Sequence, residues 1–310
     1  MFRYLLSFLT ITLIGILYDK YVNKQQRVRH LDIVDEFLLD HKKGPPLNKQ
    51  PILWVHIQPE VNSRYWQNFG SRNSKEVNKP YIYLCLESIV HQCKDDFNIC
   101  FIDDRTLSRL LPEWNVSLEN VSNPTILRSI GLMRLLFKYG GLLCPSGFLA
   151  LENLKEIYDQ CEDNMVFCEM RNNTVMPSKT IPNPGFMASV RGNLKLKELI
   201  DLLEDKLDFR SDQALFKGSI PKICLEFIRQ GQAILIDGKA VGILDKHNNC
   251  IPLESLFEEE YIEEDDTLLG IDIPNIERTK YEWFNRLNAS QIIQSNFILA
   301  KYFVLAKSNI

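Results

Sequence analysis

Few residues in this chain have the type and spacing to do chemistry. Asp103 and Asp104 stand side by side after the apolar run FNICFI, where two carboxylates can meet a cation or a ligand. The same pair also reads as the N-cap of a helix beginning LSRLL. His56, inside PILWVHIQ, is a candidate for ligand binding, and more often a histidine so placed is a satisfied core residue. Asp212, in FRSDQALF, can serve as an acid or base near an acceptor, or as a helix cap. Trp54, Trp66 and Trp283 can stack on sugar rings or simply pack. Asp272, in GIDIP, marks a strand and turn. No Ser-His-Asp or Cys-His spacing is present, and no phosphate-cradling glycine loop. Eight cysteines include no C-x-x-C pair, which argues against zinc and against a thioredoxin-type site. Several lie in apolar runs and read as free buried thiols. The acidic run from Glu258 to Asp266 lacks calcium-loop spacing and reads as a solvated loop.

These residues need elements to hold them. PILWVHIQ and FNICFI read as buried strands, and LLCPSGFLAL as strand, turn, strand. MVFCEM is a further strand. Helices are expected over Tyr81–Cys93, Ile126–Tyr139, Asn153–Cys161, Leu194–Leu207 and Ile220–Gln230, with a last helical stretch over Ser290–Lys307. Gly140-Gly141 ends the second of these. Asp-Gly in AILIDGKAVGIL signals a hairpin. Strands alternating with helices predict an α/β fold with a mostly parallel sheet flanked by helices, which binds ligands at its carboxyl edge.

The 310 residues are 45% apolar and 25% charged, with a formal net charge of -4. No basic field exists to gather nucleic acid. The uncharged run Tyr4–Tyr18 spans roughly 22 Å as a helix, and Arg3 and Lys20 can snorkel at its ends. A transmembrane anchor over residues 1–19, a polar stalk over 20–50 and one large domain over 51–310 are therefore expected. Small residues for signal cleavage are missing at Tyr18-Asp19-Lys20-Tyr21. Lys20, Lys24, Arg27 and Arg29 follow the run and place the domain on the cytosolic side of a single-pass protein. Unpaired cysteines agree with that. Sequons at Asn115, Asn120, Asn172 and Asn288 point the other way.

The segment Leu135–Leu154, LLFKYGGLLCPSGFLALENL, resembles the sugar-binding region of glycosyltransferase family 32 and its capsular polysaccharide relatives. There a helix ends in Tyr-Gly-Gly, and the next strand delivers an acidic D-x-D motif. Pro51–Gln58 resembles the opening strand with its histidine, Phe97–Asp104 the second strand with its acidic end, and Asn183–Leu203 a later strand and helix. The resemblance covers roughly Pro51 to Leu207. It implies a nucleotide-diphospho-sugar transferase fold of the glycosyltransferase A type. It implies a nucleotide-sugar or glycan ligand. It makes His56, Asp103, Asp104, Arg134, Gly140, Gly141 and Ser146 the candidates for donor binding, with Asp212 the candidate for catalysis.

The chain departs from the family where the chemistry would be. Pro145 and Gly147 stand where the D-x-D aspartates belong, with Ser146 between them. Ser129 and Leu132 stand where the preceding helix carries an aspartate and an arginine, while Arg128 and Arg134 lie close by on different faces. Divalent cations want carboxylate oxygens, and this turn offers one neutral hydroxyl. No metal and no cofactor are expected unless other carboxylates replace the lost pair. The anchor, the KYGG turn and the Pro-Ser replacement together resemble glycosyltransferase-like proteins of large DNA viruses. A transferase without metal-dependent activity is the expectation. A metal-independent enzyme and a structural or scaffold membrane protein, such as a virion component, are the alternatives.

Overall fold

A computed structural model describes residues 10–18, 20–21, 33–34, 36–39, 44–45, 50–57, 79–114, 124–173, 177–208, 213–258 and 262–308. A helix over residues 10–18 (α1) comes first. Then follow β1 (Ile52–His56), α2 (Pro80–Cys93), β2 (Asn98–Ile102), α3 (Asp104–Leu110), α4 (Pro124–Tyr139), β3 (Gly141–Pro145) and β4 (Phe148–Ala150). Next come α5 (Lys155–Asp159), β5 (Met165–Arg171), β6 (Thr180–Ser189), α6 (Leu194–Asp208), α7 (Gln213–Arg229) and β7 (Ala233–Ile236). The chain closes with α8 (Leu253–Phe257), β8 (Gly270–Asp272), α9 (Ala289–Ile293) and α10 (Ile298–Ser308).

Six strands form one sheet in the order β2-β1-β3-β6-β5-β7. β1 runs parallel to both β2 and β3, β5 runs parallel to β7, and only β6 is reversed against its neighbours. The mostly parallel sheet flanked by helices is thus as expected. Strand side chains alternate between two cores. Trp54, Leu143, Phe167 and Met187 pack with Ile130, Met133 and Leu136 of α4, Leu199 and Leu203 of α6 and Ile223 of α7. Leu53, Val55, Leu142, Val166 and Cys168 face the other way, onto Leu86 and Ile89 of α2 and Ile157 of α5. Burial on both faces explains why the strands read as continuous apolar runs.

β4 leaves the main sheet and pairs antiparallel with β8. Ser88 of α2 fixes it: the Ala150 amide donates to Ser88 Oγ at 3.0 Å, and Ser88 Oγ donates to the Cys85 carbonyl at 2.7 Å. A third core lies there, built from α2, β4, β8 and α8 to α10.

Two expectations are corrected. AILIDGKAVGIL is not a hairpin. β7 pairs in parallel with β5, and Asp237 to Gly242 form turns closed by Ala240 N–H to Asp237 carbonyl (3.1 Å) and Ile243 N–H to Gly238 carbonyl (2.8 Å). The second apolar run serves β8 instead, through Asp272 N–H to the Val241 carbonyl at 2.9 Å. Tertiary burial of Val241 and Ile243 outweighs the local turn signal. The Ser290–Lys307 stretch is two helices, α9 and α10. The Ile298 amide donates to the Glu258 carbonyl at 3.1 Å, so α10 starts on its own neighbour.

Part of the segment read as a stalk joins the domain. Leu38 bridges Phe101 at the edge of β2, and the Phe37 and Phe101 rings meet at 5.7 Å. Among the described residues, no helix is long and apolar enough to cross a membrane, so the fold lends the expected transmembrane helix no support. All eight cysteines are free, seven of them buried.

Candidate functional site

Parallel β1, β2 and β3 end level with one another. His56 is the register partner of both Ile102 and Pro145. The carboxyl edge therefore brings His56, the Asp103-Asp104 pair and the Pro145–Gly147 turn together.

Asp103 is the N-cap of α3, and its Oδ1 accepts the Thr106 amide at 2.7 Å. Asp104 follows as the first helical residue, favourably placed against the helix dipole. Arg128, in the first two turns of α4, grips it with both arms of its fork. Nε donates to Asp104 Oδ1 at 2.8 Å and Nη2 to Oδ2 at 2.7 Å. His56 Nε2 lies 2.8 Å from the same Oδ1. Burial alone would raise the Asp104 pKa, but the hydrogen bonds from Arg128 and His56 outweigh it and hold the carboxyl well below the usual range. Arg128 is 9% exposed, so the pair sits in a low-dielectric wall.

Both carboxylates at the end of β2 are thus engaged by the protein's own donors. Across the edge, Pro145, Ser146 and Gly147 are half-buried and bring no carboxylate. Among the described residues, no group of three or more His, Cys, Asp and Glu side chains is arranged to hold a metal ion.

One further carboxylate reaches this turn. Asp272 ends β8 as the register partner of Phe148, and the Ile273 amide donates to the Gly147 carbonyl at 3.3 Å. Burial pushes the Asp272 pKa up to about 7, with the Arg171 charge opposing that rise. Arg171 is the last residue of β5 and so belongs to the same edge. Neither Arg171 Nε nor Nη2 has a hydrogen-bond partner among the described residues, although both atoms are buried.

Other sequence candidates lie elsewhere. Gly140 and Gly141 are at the opposite end of β3, beside the start of β1. Both have positive φ, and a Cβ on Gly141 would stand 2.2 Å from the Ile52 carbonyl oxygen. Trp54 Nε1 donates to the Gly140 carbonyl at 2.9 Å, and its ring meets Tyr139 at 5.9 Å. These residues shape the turn and do not reach the site. Arg134 points to α6, where its Nε donates to Glu204 Oε1 at 2.6 Å. Asp212 and Trp66 lie outside the described residues. Trp54 is fully buried, and Trp283 is partly exposed, edge-on to Phe257, Phe284 and Phe297. Ser146 occupies the turn itself.

Arg128, Asp272 and Arg171 join this edge beyond the sequence candidates. Arg128 had a signal: it shares the buried stripe of α4 with Leu132, Leu135 and Leu136, where a charge demands a partner. Asp272 had a weaker one, a lone acid between buried Ile271 and Ile273. Arg171 had none, since it follows the apolar run of β5 like any strand-ending residue. Compared with known protein families and with characterised proteins, the chain matches none.

Proposed function

We propose that this chain is a membrane-anchored, glycosyltransferase-like protein that binds a nucleotide-sugar-type ligand at the carboxyl edge of β1 to β3 without the family's metal-dependent sugar transfer. The observation that carries this reading is the commitment of both acidic side chains at the end of β2. Asp103 caps α3, and Asp104 is held by Arg128 and His56. A chelating pair needs free carboxylate oxygens, and a cation at Asp104 would compete with a bidentate guanidinium. Asp272 is a single carboxylate beside a turn that lacks its acidic pair. The order of elements from β1 to α6 supports the nucleotide-diphospho-sugar transferase architecture of the glycosyltransferase A type.

The anchor reading rests on the uncharged apolar run Tyr4–Tyr18; the described residues of α1 within it are exposed, among them Ile11, Leu13, Ile14, Ile16 and Leu17. A domain on the cytosolic side is supported by eight unpaired cysteines. Burial pushes Cys93, Cys100, Cys161 and Cys224 up to about 12, as suits inert core thiols.

Turnover is the test. The full chain, incubated with UDP- and GDP-sugars and manganese, should neither hydrolyse nor transfer the sugar above background. Multiple turnovers per protein would overturn the reading.

A further inference from the structure

We propose that Arg171 is the anchor for a phosphate group, and that it takes over the charge neutralisation which a D-x-D-bound cation would supply at the Pro145–Gly147 turn. The inference rests on the ligand class proposed above and adds the residue and the group it meets.

Three observations converge on Arg171. First, Arg171 is half-buried, and its Nε and Nη2 are buried with no acceptor among the described residues. An uncompensated buried cation is costly, and such an atom in a folded protein calls for a ligand or ion. Its surroundings do not settle the charge. Asp272, Cys250 and Glu254 act on it electrostatically, yet none forms an ion pair with it among the described residues. Second, β5 runs parallel to β3, so Arg171 sits at the carboxyl edge with His56 and Pro145, where sheets of this kind bind ligands. Third, Asp272, which acts on Arg171 electrostatically, ends β8, and the next residue, Ile273, is hydrogen-bonded to Gly147 of the turn. Nε and Nη2 lie on one side of the planar fork and match two oxygens of a phosphate.

Asp272 fits this arrangement. Burial favours its neutral form, in which the carboxyl can donate to a phosphate oxygen and does not repel it. Admission of the anion requires the guanidinium to swing from its closed position, which the rotatable bonds of an arginine permit.

The full-length protein, Arg171→Gln and Arg171→Lys are titrated calorimetrically with inorganic pyrophosphate and with a UDP-sugar, in chelator. Wild type should bind both. Arg171→Gln should lose about 10- to 100-fold in affinity for both, while Arg171→Lys keeps part of it. The unfolding midpoint of Arg171→Gln should hold or rise, because the variant removes an unpaired buried charge; if it does not fold, Arg171→Lys decides. Equal binding by wild type and the variants overturns the phosphate anchor and leaves the proposed function standing. Arg171-dependent binding of pyrophosphate without any binding of the UDP-sugar keeps the anchor and overturns the proposed ligand. No binding of either by wild type overturns both.

Discussion

Asp104 lies at the carboxyl edge of the main sheet and Asp272 on the small sheet beside it, in opposite charge regimes. Asp104 is held ionised, with its folded pKa below the unfolded value of about 3.9. Its stabilising contribution is present at neutral pH and is lost as pH falls below about 4. Asp104→Asn should therefore lower stability by about 3 kcal/mol at pH 7, because the buried Arg128 guanidinium loses the carboxylate that its fork grips. The deficit should shrink toward pH 3, as measured by urea unfolding of both proteins. Asp272 has the reverse sign. Its folded pKa is pushed up to about 7, so the folded state loses stability as pH rises from about 4 to 7. The charge acting on it is that of Arg171 of β5, which opposes the rise; the thiols of Cys85, Cys144 and Cys168, pushed up by burial and by Asp272, face it as neutral groups. Asp272→Asn should match wild type at pH 4 and exceed it by about 1–3 kcal/mol at pH 8. A variant equally stable to wild type at both pH values would show that Asp272 is not buried as a neutral acid.

The element that sets the site is β3, and its register is fixed at the end away from the chemistry. Gly141 lets β3 leave α4 against the Ile52 carbonyl, with φ 115° and no room for a Cβ. Gly141→Ala should cost about 3 kcal/mol or more and lower the melting temperature, without a direct effect on ligand contacts. A loss below about 0.5 kcal/mol would contradict the tight-turn account. Much at this scale was legible in sequence. Continuous apolar runs marked β1, β2 and β5, Gly140-Gly141 marked the end of α4, and Asp103 marked the start of α3. The Asp237-Gly238 turn misled because the partner of the second run, β8, lies some thirty residues on, and no local rule reports so distant a partner. The Asp104–Arg128 fork was hidden for the same reason: its residues are 24 apart and meet only when α3 and α4 pack.

At the scale of the whole molecule, an exposed apolar α1 precedes an α/β domain with eight unpaired cysteines. Protease added outside sealed microsomes should digest the domain, and none of its sequons should carry glycan. A protected, glycosylated domain would place it in the lumen. The central claim is that the ligand site works without a cation, because Asp104 is spent on Arg128 and His56, and Pro145 and Gly147 replace the acidic pair. Calorimetric titration of the full chain with a UDP- or GDP-sugar, once in EDTA and once in manganese, tests it most directly. Equal affinity is expected in both. Binding that appears only with manganese, or tightens about tenfold or more with it, would contradict the account.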